Sequence, residues 1–317
     1  MSRVAKFAWA LLAYNLLVIA WGAYVRASGS GAGCGAHWPL CNGEILPRAP
    51  GVEMLVELSH RITSGLSLVG GLALALAAHR AYPRGSIVRR GAWTSFAFVS
   101  AEALIGAGLV LFELVAHDKS MKRGLSMALH LTNTFFLLAA LTLTAFWASG
   151  GARVSLRRQG ILSWALGAAI AFMLLLGMSG AVTALGDTLF PARSLSEGLA
   201  QEISSGAHLF VRLRLLHPVI ATVTAVFVLL ASTLSRLLRP TPQVRSLSRL
   251  VSTLVIAQMI AGIVNVALLA PVPMQLVHLL LADGVWISLI LLTASTLRAP
   301  DASHAPGVEA RDGILSY

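Results

Sequence analysis

Residues 54–79 read MLVELSHRITSGLSLVGGLALALAAH. The stretch is long enough to cross a bilayer as a helix, which takes about 20 residues. Its second half is almost entirely Leu, Ala, Val and Gly, whereas its first half sets Glu57, His60 and Arg61 among apolar neighbours. Ionisable side chains inside a membrane span are costly and mark functional sites. A plain membrane anchor has no use for them.

The same pattern continues outward along the chain. Of 317 residues, 56% are hydrophobic and 12% charged, against roughly 25% charged in a soluble domain. The mean hydropathy is +0.78. This composition excludes a disordered chain, a collagen-like fibre, a disulfide scaffold and nearly every soluble enzyme. Eight apolar segments read as spans: 5–27, 54–79, 91–115, 124–148, 160–186, 207–235, 248–270 and 273–297. Pro271 and Pro273 separate the last two. The first span is too long, and too polar at its far end, for a cleaved signal peptide.

The net charge of +11 sits in short basic runs between spans, so it describes membrane loops and not a nucleic-acid surface. Fifteen Lys and Arg residues fall in the N-terminus, the 79–91, 148–160 and 236–249 loops and the tail, against six on the other side. The positive-inside rule then predicts a multi-pass cell-membrane protein with both termini cytoplasmic and the long 28–53 and 187–206 loops outside.

The two halves of the chain resemble each other. Gly22-Ala23-Tyr24-Val25 aligns with Gly180-Ala181-Val182-Thr183, and Ala101-Glu102 through Gly106 with Ala257-Gln258 through Gly262. His60 aligns with His217, and His130 with His278. Four spans per half make this a parallel repeat. The expected fold is all-α, with eight transmembrane helices in two pseudo-symmetric four-helix bundles. The bundles are expected at 1–150 and 151–298, with a flexible cytoplasmic tail over 299–317.

Of the nine histidines, His37, His79, His117 and His304 fall in loops or at span ends. His60, His130, His217 and His278 each lie about 8–15 Å inside a span that starts at the outer face. In each bundle the two histidines sit on the second and fourth spans, which face each other diagonally. Such a pair can take a heme edge-on between helices, with the iron held by both imidazoles. The plain alternative is a set of interhelical hydrogen bonds. Zinc fits poorly, because no third or fourth ligand lies nearby. His208 lies nine residues before His217, about 900° of helical rotation, and is read as interfacial.

Glu57 precedes His60 by one helical turn, and Arg214 stands in the same place before His217. A guanidinium suits a permanently held anion, so Arg214, with Arg212 nearer the surface, is a candidate contact for heme propionates. A buried carboxylate suits acid–base chemistry. The first bundle is therefore expected to react and the second to hold a resident cofactor. Cys34 and Cys41 are the chain's two cysteines, and both lie in the outward loop, where a disulfide is the leading reading.

At these residues the chain resembles the heme A synthase family. The resemblance is carried by Gly22-Ala23-Tyr24-Val25-Arg26, Trp38-Pro39-Leu40-Cys41-Asn42-Gly43, Glu57-Leu58-Ser59-His60-Arg61, His130-Leu131-Thr132-Asn133-Thr134, Leu216-His217-Pro218 and His278. It covers essentially all eight spans. Ala36-His37 ahead of Trp38 departs from the family pattern.

The resemblance implies a membrane oxidoreductase that converts the C8 methyl of heme O to a formyl group by successive hydroxylations. It implies substrate heme at His60 and His130, cofactor heme b at His217 and His278, and an essential acid at Glu57. An unidentified electron acceptor and lipid are the partners this reading requires, and a heme O synthase is a candidate partner from the pathway. From the residues alone, a diheme electron-transfer cytochrome and a heme transporter or chaperone remain as alternatives.

Overall fold

The computed structural model describes residues 1–298 apart from 46 and 158; the tail expected to be flexible lies outside the described residues. Nine α-helices follow in order: α1 (Arg3–Ala27), α2 (Val52–Ala81), α3 (Ile87–Leu111), α4 (Met121–Ala148), α5 (Ile161–Leu189), α6 (Leu195–Ile203), α7 (Leu209–Leu238), α8 (Pro242–Ala267) and α9 (Val272–Thr296). All but α6 are long and apolar enough to cross a membrane. The protein is a multi-pass, all-helical membrane protein. In hydrocarbon every backbone polar group must be paired within its own segment, and a helix achieves this without a neighbour.

Local signals set the helix ends. Ser2, Ser120, Ser194 and Thr241 each cap an N-terminus by accepting from the backbone N–H three residues on. Pro242 occupies the first turn of α8, and Pro273 lies in the first turn of α9 instead of separating it from α8. The third span, expected to reach residue 115, stops at Leu111. Leu114 N donates back to Leu109 O at 2.8 Å, and Glu113 turns left-handed at φ 56°. The seventh span, expected over 248–270, ends in the same way three residues early. There Ala270 N donates to Asn265 O at 2.7 Å and Leu269 has φ 62°. These are helix stops of the Schellman type. Because they recur at corresponding places, the repeat extends to backbone detail. Helix α6 was not anticipated; it is too short and polar to register as a span.

Within each half the helices form a ring. α1 touches α2 and α4, and α3 touches α2 and α4; α5, α7, α8 and α9 repeat this arrangement. The halves meet through α1 and α4 on one side and α5 and α9 on the other. More than half of α4 is enclosed by protein, whereas the other seven spanning helices leave most of their surface outward.

With lipid outside, helices associate through close packing and interhelical hydrogen bonds more than through a hydrophobic drive. Phe135 of α4 stacks on Trp286 of α9 with centroids 4.9 Å apart. The Trp286 indole donates to Phe135 O at 2.7 Å, a bond worth about 0.6 kcal/mol by the average for such contacts in membranes. Gly177 of α5 lets Phe135 approach: a Cβ there would lie 2.7 Å from its ring. Arg26, at the end of α1, crosses to the second bundle and donates to Ala184 O, Thr188 Oγ1 and Gln275 Oε1 at 2.6–2.8 Å.

Candidate functional site

The four deep histidines lie in the N-terminal halves of α2, α4, α7 and α9, all toward the face of the molecule that carries the α1–α2 and α5–α7 loops. In the first bundle, His60 packs on Gly22 of α1, where a Cβ would lie 2.8 Å from His60 Cε1. His60 and His130 are within electrostatic reach of one another, and so are His217 and His278.

In the second bundle the rings of His217 and His278 pack on Gly180 and Gly262, where a Cβ would lie 3.2 and 3.1 Å from the respective Cε1. His217 Nδ1 meets Ser179 Oγ at 2.9 Å, and His278 Nε2 meets the Gln258 amide nitrogen at 3.3 Å. The glycines that first served to align the halves therefore cradle imidazoles. Only the residue types were visible in the sequence; the contact depends on which helices are neighbours.

His130 stands differently. Its Nδ1 is in ion-pair contact with Glu102 Oε2, and Thr134 Oγ1 donates to the other oxygen of that carboxylate. Glu102 was passed over in the sequence as one letter of an alignment, although its pairing with Gln258 was already the available signal.

The sequence places Glu57 and Arg214 at equivalent positions with opposite charge, and the structure gives both a loop to hold. Glu57 is 3% exposed. Its Oε2 accepts from Cys34 N at 2.8 Å, and its Oε1 accepts from Arg61 Nη2 at 2.5 Å and Nε at 3.1 Å. Arg61 in turn donates to His37 O and Leu40 O, both at 2.6 Å. Cys34 and Cys41 form a disulfide, with both residues fully buried. The carboxylate, the guanidinium and the bridge thus fasten the 34–41 loop onto the start of α2.

Gly33 lies so close to that helix that a Cβ would meet the Glu53 carbonyl at 2.5–2.6 Å. Gly33→Ala is expected to cost about 1–3 kcal/mol, as overpacking against a rigid neighbour does. It should lower the thermal unfolding midpoint in detergent. An unchanged midpoint would show that the loop can move away freely.

Arg214 donates to Gly186 O at 2.6 Å and Phe190 O at 2.7 Å, and pairs with Asp187 at 2.9 Å. It holds the end of α5 as Glu57 holds the end of the first loop. Arg212 reaches back to Ser204 O and Ser205 O in the loop between α6 and α7. His208 caps α7, accepting from Phe210 N at 3.3 Å, and stacks on Phe190. Nearby, burial pushes the Glu202 carboxyl up, with Arg214 pulling the other way.

The donor sets suit a heme iron in each bundle. Each offers two imidazoles from diagonally placed helices; the rings of His60, His217 and His278 are seated against glycines where a side chain would intrude, and His60 and His278 each have a buried Nδ1 with no partner. Fold and site together define a membrane protein of two four-helix bundles, each with a pair of histidines near the loop face. Residues 5–290 match the family model of the COX15-CtaA cytochrome oxidase assembly proteins, and the chain belongs to that family.

Two kinds of relative accompany this match. A Thermus thermophilus protein named protoheme IX farnesyltransferase is 52% identical over 296 residues, covering 93% of this chain and 49% of its own length. A Bacillus mycoides heme A synthase is 36% identical over 128 residues, 40% of this chain and 41% of the relative. A Bacillus cereus heme A synthase is 35% identical over a stretch of the same length. The chain spans about half the length of the Thermus relative and less than half of the Bacillus ones.

Proposed function

We propose that this protein is a heme A synthase, an oxidoreductase that converts the C8 methyl of heme O to a formyl group. The observation that carries the reading is the duplicated histidine pair with unequal surroundings, in a chain of the COX15-CtaA family. Each hydroxylation adds an oxygen from water and releases an electron pair and two protons. Two rounds give a geminal diol, which loses water to the aldehyde. The electrons leave to an acceptor outside the chain.

In this reading His60 and His130 hold substrate heme, and Glu57 serves that site through the disulfide loop it fastens. Heme b, when bound by His217 and His278, would supply one-electron redox chemistry. Arg212 and Arg214 lie beside that site as candidate propionate contacts, each giving up a backbone carbonyl to make one. The loop face lies outside the cell membrane, with both termini cytoplasmic, as the loop charges favour.

The name of the Thermus relative fits the same pathway. We infer that the farnesyltransferase activity belongs to the half of that protein which this chain does not cover. On that inference, a heme-farnesylating enzyme is the natural supplier of substrate and a candidate partner.

The test is to express the chain with a source of heme O, extract the pigments and separate them by chromatography. Heme A, with some of the alcohol intermediate, is expected. Heme O recovered unchanged would overturn the assignment and favour a transporter. Two hemes b held permanently would favour an electron-transfer cytochrome.

A further inference from the structure

The repeat supplies an internal control for every feature of the first site. Three of the four deep imidazoles sit against the glycine that the repeat assigns them: His60 on Gly22, His217 on Gly180 and His278 on Gly262. For His130 that glycine is Gly106, yet no atom lies within 4 Å of a Cβ built there. Instead the His130 ring lies against Glu102, one turn earlier on the same face of α3.

The residue corresponding to Glu102 is Gln258, which touches His278 from the same position in the other bundle. Thr134, one turn after His130, donates to the second oxygen of Glu102; its counterpart is Ala282. Among the described residues both parts of this clamp exist only in the first bundle, and the bundles differ at this histidine in a formal negative charge, in the threonine and in the ring nitrogen that is met.

We propose that Glu102 is a positioning residue of the first-bundle site, acting through His130 on the heme bound there. A carboxylate against Nδ1 requires the ring to present its N–H to that side, which leaves the lone pair of Nε2 for iron. A charged partner also makes the imidazole a stronger donor than an amide partner does. Thr134 holds the carboxylate, so the ring cannot turn without leaving a partner that is itself fixed in place. The second bundle has an amide in place of the carboxylate, and that amide meets His278 at Nε2 instead of Nδ1. With hemes bound, the two sites would differ in the electron-donating strength of one imidazole, which suits a first site whose occupant must give up electrons and a second whose occupant is retained.

The proposal rests on the reading of the histidine pairs as heme sites, and the experiment separates the two. The full chain, purified in detergent with its resident heme, is titrated with hemin as the probe of the first site. The midpoint potentials of both hemes are then followed by spectroelectrochemistry. Glu102→Gln is expected to weaken hemin binding about 10–100-fold, the usual cost of losing such a partner, and to raise the potential of the hemin bound in the first bundle. Retention of the resident heme shows that the variant is folded. Gln258→Glu is expected to lower the potential of the resident heme, a change that a merely structural role would not produce. Unchanged affinity and potential in Glu102→Gln, with binding lost in His130→Ala, would overturn the role of Glu102 and leave the heme site standing. Normal hemin binding by His130→Ala would overturn both.

Discussion

If the proposed function holds, replacing His217 or His278 with Ala is expected to strip the purified protein of most heme b, whereas His60→Ala or His130→Ala should leave that heme in place and abolish oxidation of heme O. The loss should exceed the roughly 10–100-fold cost of removing a mere supporting partner, because on the proposed reading the residue that would hold the iron is itself gone. The second-bundle pair is the better resident site on the contacts described. Its imidazoles meet a hydroxyl and an amide, and no carboxylate touches either ring among the described residues. The first-bundle pair carries Glu102 and lies next to the latched loop. The pyridine hemochrome assay gives heme b per polypeptide directly. Full occupancy in both second-bundle variants would mean that the two bundles have been assigned the wrong way round.

Glu57→Gln carries the second large effect: heme A formation should fall at least tenfold while heme b stays at wild-type occupancy. The physical reason lies in the donor count. Glu57 accepts from Cys34 N with one oxygen and from Arg61 with the other. Glutamine has one acceptor oxygen and turns an NH2 toward one of those donors. Arg61 is then left without its counter-charge, and breaking a buried pair from one side costs about 3–5 kcal/mol. Arg61 is partly held by His37 O and Leu40 O, so the loosening should be confined to the 34–41 loop and appear as faster amide exchange there.

Arg61→Gln separates the roles, since it breaks the same latch and keeps the carboxylate. If Glu57 acts through the loop, Arg61→Gln reproduces the loss; if the carboxylate itself meets the substrate, Arg61→Gln stays active. A normal heme A yield from well-folded Glu57→Gln would end both versions.

The spans were legible because lipid imposes one rule on backbone and side chain alike: about 20 apolar residues with every N–H paired inside the helix. All eight were found from hydropathy, and their errors are instructive. The shortened third and seventh spans end at left-handed residues such as Glu113 and Leu269, types that give no warning in a sequence as Gly or Asn would. The short helix α6 is amphipathic and lies outside the spans, so hydropathy could not show it.

The sequence by itself determined that this is a helical membrane protein, and that four histidines lie toward the same end of their spans, because hydropathy and helical rise are properties of one segment at a time. Only the tertiary structure decided what those histidines touch. Gly22 and His60 are neighbours because α1 packs on α2. Glu102 reaches His130 because α3 packs on α4. Arg26, which the sequence shows only as the end of a motif, and Arg214, read there as a propionate contact, are occupied by α5 carbonyls and their neighbours. The direction of a side chain across a helix interface depends on which face a second helix covers, and no spacing within one helix encodes that. The opposite charges of Glu57 and Arg214 could be read from the sequence, while the difference at an imidazole, Glu102 against Gln258, became visible only once the helices were packed.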